Sequence, residues 1–461
     1  MPDGRLERLS ARLQAAGQGH VLAWAHELAP AQLEELLGQL ESLELGRLQA
    51  MIRAALSPPP APGAGLEPPE LLEWGSEEQH RARDAAARRA GEAALAAGQV
   101  GAFMVAGGQG TRLGYDGPKG RFPVGPLTGR SLFAYHAQRV LATSRRYGCD
   151  LPLYVMTSAA NHESTRAAFE EARWFGLEPG QVCFLVQGML PAIDREGRLL
   201  LASKHSLSWS PDGHGGSLRA LQRSGALDDL GARGIRQLFY FQVDNPLARV
   251  LDPVFIGHHL LARAEMSTKV VAKHDPAERV GIVARQDGRT GVIEYSDLDP
   301  ELAARRDEQG RLVFRAANIA IHVLDVAFVR RLLGTDLALP VHRAEKAVPC
   351  LDRDGRPVTP KEPNAIKLEQ FVFDALPLAE RTITQEVLRV EEFAPVKHAT
   401  GADSPHTARQ ALSDQARRWM GAAGLAAPSG MAEVGPLFAL DQEEFLAKLT
   451  RSDFGPVFDR S

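Results

Sequence analysis

The 461-residue chain is poor in cysteine, with only Cys149, Cys183 and Cys350, an odd number spread far apart. No CxxC pair and no Cys/His ligand spacing occurs, which argues against a zinc module or a disulfide framework. Three idle or buried thiols are expected instead. Long apolar runs are also missing: no stretch of about 18 apolar residues exists to cross a bilayer. The first twenty residues lack the basic-then-apolar pattern of an export signal. A cytoplasmic protein with no membrane partner is expected. Excess positive charge is absent too, since 53 Lys plus Arg face 57 Asp plus Glu for a formal net charge of -4. That balance gives no field to attract a nucleic acid, so any anion site must be local. Internal repeats and long low-complexity tracts are likewise lacking.

What is present is a full core. Hydrophobic residues make up 44% and charged residues 24%, as in a soluble globular protein. The length implies a central domain with appended pieces. Residues 1–56 read as helical, with Leu6, Leu9 and Leu13, then Leu33, Leu36, Leu37 and Leu40, at helical spacing. "SPPPAPGAGLEPPE" (57–70) breaks that period and predicts a strap, because proline fixes φ and removes a donor. Residues 76–98 read as a helix with Ser76 as N-cap, Gly98 past its end and its Arg run on a solvated face.

From 100 to about 330, short apolar strands alternate with helices. "GAFMVAG", "PLYVMTS", "VCFLVQ" and "QLFYFQVDN" read as strands; 131–148 and 161–176 read as helices. The alternation predicts an α/β fold with a mostly parallel sheet and helices on both faces. Ligands of such sheets bind at the carboxyl ends of the strands. That rule selects the loops 106–120, 187–191 and 244–246. Beyond 398 come helical pieces and a Gly/Pro-punctuated tail.

The loop "AGGQGTRLGYDGPKG" (106–120) carries the strongest chemistry. Gly107, Gly108 and Gly110 allow positive φ and a close backbone approach, so that successive N–H groups can cradle phosphate oxygens. Arg112 adds a planar fork of donors and Lys119 a point charge. The loop is neither GxxxxGK[ST] nor GxGxxG, because Leu113 stands where a dinucleotide fingerprint needs its third glycine. Gln187 ends a strand, where an amide either reads a base edge or caps a turn. "SPDGHGG" (210–216) is a turn before a helix, open to an anion, a nucleobase or plain capping. Asp244 either caps its strand or holds Mg²⁺ against phosphates; magnesium needs only one or two protein carboxylates. Glu294 and Asn318 are ordinary polar strand residues or ligands of sugar hydroxyls, and Lys397 a surface charge or a phosphate contact.

Laid in order, "AGGQGTRLG…PKG", "QGMLPA", "PDGHGG", "VDN", "VGIV", "EYSD", "NIAIH", "PNAIKLEQFVFD" and "VKHA…PHTARQAL" resemble the eukaryotic-type UDP-N-acetylglucosamine pyrophosphorylases, within the UDP-sugar pyrophosphorylase group. The resemblance covers roughly 100–412. The first hundred residues match only in helical character, and the tail looks shorter than the family's small domain. The resemblance implies a GT-A-like, Rossmann-type mixed sheet. It divides the chain into a helical region 1–98, a nucleotidyltransferase domain 99–395 and a small C-terminal lobe 396–461. It implies UTP and a sugar 1-phosphate as partners, Mg²⁺ as cofactor, and UDP-sugar and pyrophosphate as products. Gly107, Gly108 and Gly110 would then hold the nucleotide, and Arg112 and Lys119 its β- and γ-phosphates. Gln187 and Gly213 would read uracil, and Asp244 would bind the metal. Gly281, Glu294 and Asn318 would face the sugar, and Lys397 the phosphate of the sugar 1-phosphate or the pyrophosphate. A monomer or weak homo-oligomer is expected.

One position departs from the pattern. The N-acetylglucosamine enzymes commonly carry Asn where this chain has His214, and "GHG" is similar to the turn of the UDP-glucose and broad UDP-sugar enzymes. If residue 214 faces the sugar, glucose or galactose 1-phosphate becomes the competing substrate. A non-catalytic nucleotide-sugar sensor would be expected to have lost Arg112, Lys119 or Asp244, and all three are present.

Overall fold

The computed structural model describes residues 3–57, 65–73, 75, 78–334, 339–449 and 457–459. The expected N-cap Ser76 and most of the 57–70 strap lie outside them. The chain forms two compact units, one of 1–61, 187–217 and 338–374, the other of 62–186, 218–337 and 375–461.

The larger unit is built on a ten-stranded sheet. Its main path runs Leu71–Leu72, Thr382–Val387, Met266–Ala272, Ala316–Asp325, Gln237–Gln242, Val100–Val105, Leu153–Thr157 and Val182–Val186. Every neighbouring pair on this path is parallel except the two made by Ala316–Asp325, which runs antiparallel to both flanking strands. The hairpin Ile282–Gln286/Arg289–Ile293 joins that antiparallel strand through Ile282 and Ala317. The fold is therefore mixed and mostly parallel, flanked by helices. Val100–Val105 and Leu153–Thr157 are apolar on both faces, as befits strands covered on both sides. Their residues share one core with the helix Leu132–Tyr147. That helix starts where Ser131 accepts from the Ala134 N–H and stops at Gly148 with φ 68°.

The helix expected over 161–176 ends at Glu171. Arg173, Trp174 and Phe175 then turn left-handed, with φ of 47°, 56° and 55°. Non-glycine residues rarely adopt that region. Aromatic packing holds it: Phe169 lies 5.0 Å from Phe175 and 6.4 Å from Trp174.

In the smaller unit, Leu9, Leu13, Leu36, Leu37, Leu40, Leu48 and Ile52 form one core with Ile193, Leu199, Leu201, Leu207, Ile366 and Leu368. The leucine period of the N-terminal helices is thus a packing face for segments far along the chain. Gln18 fastens the same contact, donating to the Gly197 carbonyl (2.9 Å) and accepting from the Leu199 N–H (2.8 Å). The C-terminal helix Pro405–Ala422, capped by Ser404, packs Trp419 and Met420 against Phe438, Phe445 and Phe458.

Candidate active site

Parallel pairing places the loop after Val100–Val105 beside the loop after Gln237–Gln242, the first of the three strand-end positions expected from sequence. The 106–120 loop folds back on itself. The Gly110 N–H donates to the Gly117 carbonyl (2.9 Å) and the Lys119 N–H to the Gly108 carbonyl (3.1 Å). Asn161, which sequence reasoning did not single out, ties this loop down. Its Nδ2 donates to the carbonyls of Ala106 (2.9 Å) and Gly108 (3.2 Å). Only its place at the start of the helix His162–Glu171 hinted at such a role. The positive φ expected at Gly107, Gly108 and Gly110 falls instead on Gly114 (68°) and Gly117 (118°); Gly110 has φ -79°. What Gly108 offers is access, since a Cβ there would meet nothing within 4 Å.

Lys119 and Asp244 meet: Nζ lies 3.3 Å from Oδ2, with both side chains largely buried. Arg112 is exposed and makes no ion pair among the described residues. The Asp244 carbonyl accepts from the Val396 N–H (2.9 Å), which brings the backbone beside Lys397 up to the metal candidate. The Lys397 ammonium itself turns to Asp403 (3.3 Å) and lies 5.7 Å from the Phe393 ring centroid. Asn245 completes the join, donating to the Glu392 carbonyl (2.7 Å) and accepting from the Ala394 N–H (3.0 Å).

Behind this join lies a buried ion triad. Lys269 Nζ, fully buried, donates to Asp252 Oδ2 (2.7 Å) and Glu392 Oε2 (2.6 Å). Burial works against the Asp252 carboxylate, but Lys269 and Arg249 override it and hold the carboxyl well below its usual range. Glu392 is pushed up, by burial first, against the pull of Lys269. His136 supports the same strand end from its helix, 3.0 Å from the Val243 carbonyl. Burial, with Arg139 nearby, lowers its pKa to about 3 and keeps it neutral.

The three sugar candidates also come together. The Asn318 N–H donates to the Gly281 carbonyl (2.9 Å), and a Cβ on Gly281 would stand 3.2 Å from Glu294 Oε1. Glu294 sits one residue past its strand rather than on it. Asn318 Oδ1 accepts from the Ala320 N–H (3.0 Å), and Ala320 takes φ 55°. A left-handed alanine inside a strand costs roughly 1–3 kcal/mol and is retained where the surroundings over-determine it.

The other candidates belong to the smaller unit. Gln187 Nε2 donates to the Gly213 carbonyl (2.8 Å). Gly213 has φ 80°, and a Cβ on it would stand 2.3 Å from the Gln370 carbonyl oxygen. The Gly215 N–H donates to that oxygen (2.7 Å), and the Gln370 N–H donates to the Asp212 carbonyl (2.9 Å). The turn is therefore sewn backbone to backbone. His214 stacks on Phe371 with centroids 5.0 Å apart, and Phe371 stacks on His342 at 4.2 Å. His214 Nδ1 accepts from the Val372 N–H (3.2 Å), so the ring offers only Nε2 to a ligand. Burial, with His342 adding to it, lowers the His214 pKa to about 4.

No cluster of three or more His, Cys, Asp or Glu side chains placed to hold a metal occurs among the described residues. Asp244 Oδ2 faces Lys119, while Oδ1 makes no hydrogen bond among the described residues. One free carboxylate oxygen beside a glycine-rich loop suits magnesium, which keeps waters and takes phosphate oxygens as further ligands. No described helix is long and apolar enough to cross a membrane, and all three cysteines are free.

Comparison with known proteins gives the family. Residues 75–445 match the family model described as UTP–glucose-1-phosphate uridylyltransferase. A Xenopus tropicalis UDP-N-acetylhexosamine pyrophosphorylase-like protein 1 is 40% identical over 433 residues, 90% of this chain and 84% of the relative. The Saccharomyces cerevisiae UDP-N-acetylglucosamine pyrophosphorylase is 38% identical over 385 residues, 81% of this chain and 80% of the relative. Among solved structures, the uridine diphosphate N-acetylglucosamine pyrophosphorylase of Trypanosoma brucei superposes with a TM-score of 0.84 at 27% identity, covering 98% of each chain.

Proposed function

The chain belongs to the UTP–glucose-1-phosphate uridylyltransferase family, and from that premise we propose that it makes UDP-N-acetylglucosamine and pyrophosphate from UTP and N-acetylglucosamine 1-phosphate. The names of its relatives at 38–40% identity carry the choice of an N-acetylhexosamine, and that of the Saccharomyces cerevisiae enzyme the choice of N-acetylglucosamine. The Lys119–Asp244 pair, in the loops that follow two adjacent parallel strands, carries the chemistry.

The sugar phosphate is mostly dianionic at neutral pH, so its attacking oxygen needs no general base. That oxygen forms a bond to the α-phosphorus of UTP as the bond to the leaving pyrophosphate breaks. The obstacle is bringing two polyanions together, and catalysis consists of positioning and charge neutralisation. Arg112 and Lys119 neutralise the β- and γ-phosphates, and Gly108 leaves the loop open to their approach. Asp244, through Oδ1, would hold Mg²⁺, which supplies positive charge to the phosphate oxygens when bound. Lys397 exchanges Asp403 for the sugar phosphate. Gln187 and Gly213 read uracil, while Gly281, Glu294 and Asn318 hold sugar hydroxyls. We place the protein in the cytoplasm, where free thiols such as Cys149, Cys183 and Cys350 persist.

His214 favours a second reading, with glucose or galactose 1-phosphate as substrate. Against it, the ring is stacked and has given up one nitrogen to the Val372 N–H. Incubation with UDP-N-acetylglucosamine, pyrophosphate and Mg²⁺ tests the reaction in reverse. UTP formation is expected, and none above background would overturn the proposal.

A further inference from the structure

The larger unit contains a basic cavity of about 500 Å³. It lies at the carboxyl ends of Met266–Ala272 and Thr382–Val387, walled by the segment 306–315. Five cations line it (Lys273, Arg306, Arg311, Arg315 and Arg389) against two carboxylates, Glu73 and Glu386. Arg315 is held by Glu73 and Glu386, Arg389 by Glu278, and Arg311 chiefly by Asp307.

Lys273 is different. Only 4% exposed, it makes no hydrogen bond or ion pair with its ammonium among the described residues. Asp275 and Glu278 act on it only as nearby charges, and burial lowers its pKa. A buried lysine without a close counter-ion is costly unless something else supplies the negative charge. Lys273 does not enter the reaction described above.

We propose that this cavity is a second anion site, separate from the reacting phosphates, that takes a phosphate group, free or carried by a small molecule. Lys273 is its unfilled inner donor, and Arg306, which is exposed, stands at its rim. The volume exceeds what a bare phosphate fills and suits a small phosphate ester. The site adjoins the sugar candidates through the backbone: Lys273 N–H donates to the Arg315 carbonyl (2.7 Å), three residues before Asn318.

Equilibrium dialysis of the full chain with radiolabelled inorganic phosphate, and separately with a hexose 6-phosphate, tests this. One saturable phosphate is expected, undisturbed by saturating UTP and retained in Lys119→Ala. Lys273→Gln and the surface variant Arg306→Gln should each weaken it by about fivefold or more. Tighter binding of the hexose 6-phosphate identifies an ester as the occupant, and equal or weaker binding identifies free phosphate; both support the site. Absence of binding, displacement by UTP, loss in Lys119→Ala, or indifference to both cavity variants overturns it.

Discussion

The strand ends around Asp244 and the 210–216 turn are held in opposite ways. Around Asp244 the working groups are charges: Lys119 on Asp244, Lys397 on Asp403, and behind them Lys269 between Asp252 and Glu392. Around Gly213 main chain does most of the holding, with Asp212 and Gly215 hydrogen-bonded to Gln370, Gln187 adding a side-chain donor, and little room for a side chain on Gly213. The difference teaches where function and stability separate. Removing a front charge should leave the fold intact and lower activity. Replacing the turn glycine Gly213 should displace the Gln370 backbone.

The contrast is broken most severely at its own support. Lys269→Met leaves Asp252 and Glu392 buried without their cation, at a cost of about 3–5 kcal/mol. Denaturant unfolding measures it, and a loss below 1 kcal/mol would show the triad to be solvated. Next comes Lys119→Ala, expected to lower kcat by about 10²–10³-fold, the size seen when one transition-state donor is lost. Its thermal midpoint should stay close to the wild type. Equal loss of midpoint and activity would make Lys119 structural and erase the contrast. Gly213→Ala should do the reverse, lowering stability by about 2 kcal/mol or more because φ 80° and the Gln370 carbonyl both oppose a Cβ. An unchanged midpoint would contradict the locked turn.

The last test is with pH. His136, His259 and His214 are kept neutral by burial, at pKa values of about 3, about 3 and about 4. Their folded values lie below the unfolded one, so the unfolded chain takes up protons first as pH falls. Stability is full above pH about 6.5 and declines below it, by up to about 1.4 kcal/mol per pH unit for each histidine. Denaturant unfolding between pH about 6.5 and about 4 reads that decline, and a stability unchanged across this range would contradict it.

Much of the larger unit was legible in the sequence because its signals are local. A buried strand, a glycine loop and a capped helix each announce themselves within twenty residues, and Gly281, Glu294 and Asn318 follow from motif order. The smaller unit was not, because a leucine period shows that a face is buried and not what buries it. Residues 187–217 and 338–374 join the first helices only in three dimensions. The left-handed turn at Arg173–Phe175 and the strained Ala320 were hidden for the same reason, since tertiary contacts hold them against local preference. His214 was legible as an oddity, and the structure supplies its environment, a stacked ring with one nitrogen engaged.

The choice of sugar is read by pyrophosphate release from UTP and Mg²⁺ with N-acetylglucosamine, glucose and galactose 1-phosphates. The highest kcat/KM is expected for N-acetylglucosamine 1-phosphate, and a preference for glucose or galactose 1-phosphate would overturn the proposed substrate.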